Sequence, residues 1–238
     1  MAEVEHTHWW YAATRALLHQ ELGVRLPDGG RFLDAGGGTG ATGAWMASRG
    51  ELTAVDLFPA AIVAYREHHG DLAGGVAGDL LRLPFRDGAF DAALCVTVLY
   101  HAAILDPGEA VAELVRVVRP GGLVCLWEPG VRRLRRAHDR VTHGARRFSL
   151  GDLRSLAVAA GLTVERATGA HSYLVPPAAA KAILERGRTA SDLDQNEGGL
   201  GGVLGRVAAV ERQVIRRISL PAGLSVMVIA RKPDRTGR

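Results

Sequence analysis

Apolar and polar positions recur along this chain with two periods, and the switches between them outline its elements. Short apolar runs bounded by glycine or acid predict strands: RFLDAG (31–36), ELTAVDL (51–57), GGVAGDL (74–80), FDAALCVTVL (90–99), GLVCLWEP (122–129), LTVERATGA (162–170) and LSVMVIARK (224–232). The run at 90–99 is apolar and rich in β-branched residues, as expected for a central parallel strand covered on both faces. Between these runs the period lengthens. PAAIVAYREHHG (59–70) predicts a helix, and in PGEAVAELVRVVRPGG the residues Val111, Leu114, Val115 and Val118 fall at i, i+3, i+4 and i+7. SLGDLRSLAVAAG predicts a helix with Ser149 as N-cap and Gly161 as its stop. The glycine-rich stretch 37–50 is expected to turn and open a helix, and an amphipathic first helix is expected from about Thr7 to Leu22, ending near PDGG.

Strands alternating with helices at this spacing predict an α/β fold with a doubly wound parallel sheet. Roughly fifty residues separate the last two strands. Within them PPAAAKAILERG and GGVLGRVAAVERQVIRRIS read as helices. In the second, Val203, Val207, Val210, Val214 and Ile218 form one apolar stripe, so it is expected to pack. Placed near the mouth of an open sheet, this insertion is either a lid or extra core. The division expected is an N-terminal lid helix over 1–28, a core over 29–170 and 220–238, and a helical cap over 171–219.

The bulk numbers agree with one elaborated domain: 238 residues, 47% hydrophobic and 23% charged. No run approaches the eighteen or so apolar residues of a membrane span. The start MAEVEHTH is acidic and polar, unlike a secretory signal. Cys95 and Cys125 lie inside apolar runs and read as buried reduced thiols of a cytoplasmic protein. The net charge of +4 is uneven: residues 131–147 hold seven arginines against one acid, a net of +6, which leaves −2 for the rest. That block suits nucleic acid, an anionic small molecule, or a solvated connection. No aromatic platform or nucleic-acid motif accompanies it, so nucleic acid is the less favoured partner.

FLDAGGGTG (32–40) carries the most chemistry. A buried strand delivers Gly36, Gly38 and Gly40 into a turn where bare backbone can approach a ligand. The second strand ends in Asp56, where a carboxylate can accept from both hydroxyls of an adenosine ribose, and the third leads to Asp79, near an adenine amino group. A glycine turn with a distant acid also fits NAD enzymes, but D-x-G-G-G-T-G lacks the G-x-G-x-x-G order of the dinucleotide fingerprint. With LPFRDGAFDAALC and RVVRPGG following in order, the sequence from Phe32 to Glu128 resembles the class I S-adenosylmethionine-dependent methyltransferases, specifically the small bacterial methyltransferase-11 type.

That resemblance implies a Rossmann-like, seven-stranded, mostly parallel sheet with an antiparallel last strand. It implies S-adenosylmethionine as cofactor, S-adenosylhomocysteine as product, and no metal. It also implies a cofactor set of Asp34, Gly36, Gly37, Gly38, Gly40, Asp56, Leu57, Asp79, Leu80 and Thr97. The flanks resemble a narrower branch through His8-Trp9-Trp10-Tyr11, Leu99-Tyr100-His101, His138-Asp139, His143, Arg146-Arg147-Phe148-Ser149, YLVPP and LPAGLSVMVIARKP. Its first helix usually carries two adjacent arginines. Here Thr14 precedes Arg15, which leaves Arg15, beside Trp10, to reach the cofactor's carboxylate.

The expected reaction is methyl transfer to an O or N atom of a small-molecule metabolite. Nucleic-acid methylation through the arginine block, or a non-catalytic binding protein on the same fold, are the alternatives. A hydroxyl or ammonium acceptor needs a base near neutral pH. His101, just past the fourth strand, is the first candidate, with Tyr100 packing at the reacting centre and His143 able to reach the same mouth; for His101 a hydrogen bond to a loop carbonyl is an equal alternative. Trp9, Tyr11, Trp127, Arg146, Arg147, His171 and Tyr173 are candidates for the acceptor pocket. His6/His8 and His68/His69 lack the spacing of a zinc site. A monomer or homodimer is expected.

Overall fold

The computed structural model describes residues 8–70, 73–132, 134, 144–184 and 200–234. The apolar runs form the strands β1 (Gly30–Ala35), β2 (Gly50–Asp56), β3 (Ala73–Ala77), β4 (Phe90–Val96), β5 (Val118–Pro129), β6 (Thr163–Ala170) and β7 (Ser225–Arg231). They make one sheet in the order β3-β2-β1-β4-β5-β7-β6. β1 pairs in parallel with β2 and β4, β2 with β3, and β4 with β5, whereas β7 runs antiparallel to both β5 and β6. This is the doubly wound α/β sheet read from the alternation of elements.

Because helices cover both faces, the central strands are apolar on both sides. Along β5, Val124 and Leu126 face one layer while Leu123, Cys125 and Trp127 face the other. Cys95 and Cys125 therefore lie on opposite faces of neighbouring strands, both as free buried thiols. The first layer is closed by α3 (Pro107–Val117) and α4 (Leu150–Ala159). α3 buries Ala110, Val111, Leu114 and Val117, and Asp106 caps it by accepting from Gly108 N–H. Ser149 and Asp152 form a capping box at the start of α4, and Gly161 (φ 82°) follows its end, as the sequence implied.

The second layer holds α1 (Trp9–Glu21) and α2 (Pro59–His69), together with α6 (Leu200–Ile215), which follows α5 (Val175–Leu184). The last two turns of α1 deliver Leu17, Leu18 and Leu22 to the sheet, among Phe32, Met46 and Leu94. Its first turn behaves differently: Trp10 packs with Leu134, Leu174, Val175 and Ala178 beside the carboxyl ends of the strands.

Two local expectations are corrected. The glycine turn opens no α-helix: Ala44–Ser48 is a short 3₁₀ helix with no side-chain cap. Glycines at 36, 37, 38, 40 and 43 cost helix stability, and a Cβ at Gly43 would lie 2.1 Å from Asp34 Oδ2. The valine stripe of α6 also does not pack. Val203, Val207, Val210, Val214 and Ile218 are 38–65% exposed, while Ala208 and Ile215 are buried. The roll of the helix is set by polar ties. Glu211 accepts from the N–H groups of His171 and Ser172, and Arg166 donates to the carbonyl of Ile215.

Candidate active site

A cleft of about 210 Å³ opens at the carboxyl ends of the parallel strands, where open α/β sheets bind ligands. It is lined by Gly36 after β1, by Val55, Asp56, Leu57 and Phe58 from β2, by Gly78, Asp79 and Leu80 after β3, and by Thr97, Val98, His101, Ala103 and Ile104 after β4. The predicted residues Gly36, Asp56, Leu57, Asp79, Leu80, Thr97 and His101 thus converge on one wall-to-wall site. Phe58, 62% exposed at the rim, and Val98, Ala103 and Ile104 are additions that no motif marked.

The glycine turn forms its share of the wall with bare backbone. Gly36 has φ 73°, and a Cβ there would lie 2.3 Å from Val98 Cγ2. Gly38 has φ 55°, with no atom within 4 Å of where its Cβ would be, so the turn faces open space. Asp56 ties the turn to β2: Oδ2 accepts from Gly38 N–H at 3.0 Å and Oδ1 from Phe58 N–H at 3.0 Å. Asp79 Oδ1 likewise accepts from Leu81 N–H at 2.9 Å. Two carboxylates on the cleft wall offer hydrogen-bond acceptors of the kind an adenosyl group needs, and the bare turn fits close backbone approach. The described residues therefore fit S-adenosylmethionine.

Other members of the predicted cofactor set lie behind the wall. Asp34 is buried beneath the glycine turn, accepting from the Tyr65 hydroxyl at 3.3 Å. Burial pushes its carboxyl up to about 7, the Tyr65 hydrogen bond pulls it down, and Asp56 adds to the rise. It supports Gly37 and Gly43 from below and does not line the cleft. Gly40 packs against His69 and Tyr65. Arg15 reaches from α1 to the same turn, donating to the carbonyl of Ala41 at 2.8 Å.

A second constellation sits over β5 and β6. The ring of His171, 2% exposed, lies 4.0 Å from the Trp10 ring, 6.0 Å from Trp127, and 6.4 Å from both Trp9 and Tyr173, centroid to centroid. Its Nε2 is 3.2 Å from the hydroxyl of Thr14. Burial pushes this imidazole down to about 3, so it is neutral. His171 Nδ1 and the Tyr173 hydroxyl are buried with no hydrogen-bond partner among the described residues. Tyr11 stays at the first turn of α1, edge-on to His8.

The candidates after β4 and β5 separate. His101 Nδ1 accepts from Ala103 N–H at 3.3 Å. Tyr100 packs against the first core layer and does not line the cleft. Arg146 donates to the carbonyls of Leu99, Ile104 and Leu105, and Arg147 to that of Gly130. Both arginines are thus fastened to backbone at the strand ends. Glu128 is fully buried and accepts from three N–H groups of the segment after β4. Burial pushes its carboxyl up to about 8, against the pull of those N–H groups and of Arg146. His143, His138, His6 and most of the arginine block lie outside the described residues. His68 and His69 rest on the carbonyls of Ala64 and Thr39. No helix among the described residues is long and apolar enough to cross a membrane.

Strand order, antiparallel β7 and a glycine-and-acid cleft define the nucleoside-binding α/β class of methyltransferase folds. Residues 33–126 match the family described as "Methyltransferase domain". That stretch is similar to the methyltransferase domain, and the sheet around it has the Rossmann-like methyltransferase fold. It is 38% identical over 109 residues to a demethylmenaquinone methyltransferase of Beutenbergia cavernae, a match covering 45% of this chain and 43% of that one. The match thus spans less than half of that relative. Two solved structures share the fold. A putative sarcosine dimethylglycine methyltransferase from Galdieria sulphuraria is 19% identical, with a TM-score of 0.64 over 93% of this chain and 86% of that one. The 1,6-didemethyltoxoflavin-N1-methyltransferase of Burkholderia thailandensis, solved with its acceptor and S-adenosylhomocysteine, is 22% identical, with a TM-score of 0.56 over 94% and 79%.

Proposed function

We propose that this chain transfers a methyl group from S-adenosylmethionine to an O or N atom of a small-molecule metabolite. The observation that carries the proposal is the single cleft joining Gly36, Asp56, Asp79 and Thr97 at the strand ends. The named relatives act on small molecules of varied kinds, which supports the substrate class and leaves the particular acceptor open.

When bound, the cofactor supplies a methyl already activated on a sulfonium, so the protein's work is alignment and exclusion of water. In this reading Asp56 holds the ribose hydroxyls, Asp79 and Leu80 flank the adenine, and Arg15 neutralises the carboxylate from beside the glycine turn. The first turn of α1, with Trp9 and Trp10, covers the mouth, and the described parts of the insertion, 171–184 and 200–219, cap the acceptor side. His101 is the candidate base, placed in the cleft lining just after β4. Its Nδ1 also accepts the Ala103 N–H at 3.3 Å, the loop contact that is the alternative use of the ring. The fastening of Arg146 and Arg147 to backbone argues against these two as an anion grip, and hence for an acceptor recognised mainly by the aromatic constellation.

Calorimetry with S-adenosylhomocysteine tests the assignment. Asp56→Ala removes the ribose acceptor and both ties of the turn, and is expected to weaken binding by about a hundredfold or more while thermal unfolding stays cooperative. Unchanged affinity overturns the ribose assignment. Transfer of labelled methyl to nucleic acid in preference to small metabolites overturns the substrate class.

A further inference from the structure

One side of the cleft is a loop with no regular structure, residues 97–106 between β4 and α3. It supplies Thr97, Val98, His101, Ala103 and Ile104 to the lining, and it starts in strain: Thr97 has φ 54°. A β-branched residue there is held only if its surroundings over-determine it. The loop is gripped from behind by two side chains that do not line the cleft. Glu128 Oε1 accepts from the N–H groups of Val98 (3.1 Å) and Leu99 (2.8 Å), and Oε2 from that of Tyr100 (3.1 Å). On the carbonyl side, Arg146 Nη1 donates to Leu99 (3.5 Å) and Ile104 (2.6 Å), and Nη2 to Leu105 (3.4 Å). The Tyr100 carbonyl also accepts from the N–H groups of Ala145 and Arg146.

We infer that Glu128 and Arg146 are positioning residues, a buried carboxyl and a guanidinium that clamp the two polar edges of the β4–α3 loop and so set the cofactor-facing wall. The two oxygens of one carboxyl offer the lone pairs that three converging N–H groups need, and three carbonyls converging on one guanidinium suit its planar fork of donors. Neither residue is needed to fill space with charge, because a buried carboxylate costs desolvation that an apolar side chain of the same shape avoids. What the pair contributes is the course of the backbone. The inference rests on the cleft being the cofactor site, and its test has one arm that does not.

Glu128→Met keeps the volume and removes every acceptor. Glu128→Gln keeps the acceptor shared by Val98 and Leu99 but turns an amide NH₂ toward the N–H of Tyr100. In the ligand-free chain, amide exchange of a peptide covering 97–105 is expected to quicken about tenfold or more in Glu128→Met and in Arg146→Gln, with β1 unchanged. In calorimetry, S-adenosylhomocysteine is expected to bind about tenfold more weakly to Glu128→Gln and about a hundredfold more weakly to Glu128→Met. The melting temperature of Glu128→Met is expected to fall, since three N–H groups lose their acceptor, while Glu128→Gln keeps the volume and still loses affinity, which a space-filling role does not allow. Wild-type exchange in 97–105 for both Glu128→Met and Arg146→Gln overturns the clamp. Should Glu128→Met fail to fold, the exchange in Arg146→Gln decides alone. Failure of the wild-type chain to bind S-adenosylhomocysteine sinks the cofactor reading instead and leaves the exchange result standing.

Discussion

The two halves of the sheet edge are built on different principles. Around β1 to β4 the site is made by leaving atoms out: glycines at 36 and 38 in left-handed conformations, backbone brought close, and carboxylates at the strand ends. Around β5 and β6 it is made by putting atoms in: Trp10, Trp127, His171 and Tyr173 crowd together with polar atoms left unpaired. The first half can serve any chain that binds the same cofactor, and it coincides with the stretch that matches the family, residues 33–126. Trp10, Trp127, His171 and Tyr173 of the second half all lie outside that stretch. If the contrast holds, the cofactor half should suffer most from an added carbon, and the other half from a lost ring.

Trp127→Ala and Gly36→Ala test this together. Trp127 is 1% exposed and sits under His171, so its truncation is expected to cost about 3–5 kcal/mol in urea unfolding. Affinity for S-adenosylhomocysteine should change only a few-fold. Gly36→Ala adds one methyl at φ 73°, 2.3 Å from Val98 Cγ2. It is expected to cost about 2–4 kcal/mol from strain and overpacking, and to weaken S-adenosylhomocysteine binding by about a hundredfold as Val98 is pushed into the cleft. Equal effects of the two variants on both measurements would dissolve the contrast.

How far the sequence could be read follows the same division. The strands were legible because parallel strands covered on both faces must be apolar throughout, and the place of Asp56 and Asp79 in the cleft lining was legible because both lie at or just past the carboxyl ends of strands. Glu128 was not legible as a clamp. Its partners lie 28–30 residues earlier in the chain, brought beside it by the parallel register of β4 and β5. Left-handed backbone at Thr97, Val131 and His171 leaves no mark either, because glycine is the usual sign of that conformation and none of the three is glycine. The valine stripe of α6 misled because periodicity gives a helix its apolar face without saying which way it rolls. Here the roll follows Glu211 and Arg166. His101 and Arg146 were placed in the right neighbourhood. Their hydrogen bonds to backbone, which sequence cannot show, change what each can do.

The buried carboxyl beneath the glycine turn sharpens the contrast through pH. Asp34, held up to about 7 mainly by burial, keeps a proton that the unfolded chain releases near pH 4. Between those values the folded state binds more protons, so stability falls as pH rises and levels off above about 7. Glu128 contributes in the same direction up to about 8, and His171, pushed down to about 3, in the opposite direction below 6.5. Subtracting the Asp34→Asn variant cancels those shared terms. From pH 5 to pH 8 the wild type is expected to lose on the order of 2–3 kcal/mol relative to that variant. Parallel urea-unfolding curves at both pH values would mean that Asp34 is ionised in the folded chain.

The smallest expected effect belongs to the crowded half. The Tyr173 hydroxyl is buried without a partner among the described residues, and such a group costs about 1–3 kcal/mol when nothing satisfies it. Tyr173→Phe removes the cost together with the oxygen. Unfolding free energy is therefore expected to rise by up to about 1 kcal/mol, with S-adenosylhomocysteine affinity unchanged, since Tyr173 does not line the cofactor cleft. A loss of stability would show that the hydroxyl is satisfied in solution. A gain in stability coupled to a raised KM for an identified acceptor would fix its purpose: a polar atom kept unpaired in the free chain because the acceptor completes it.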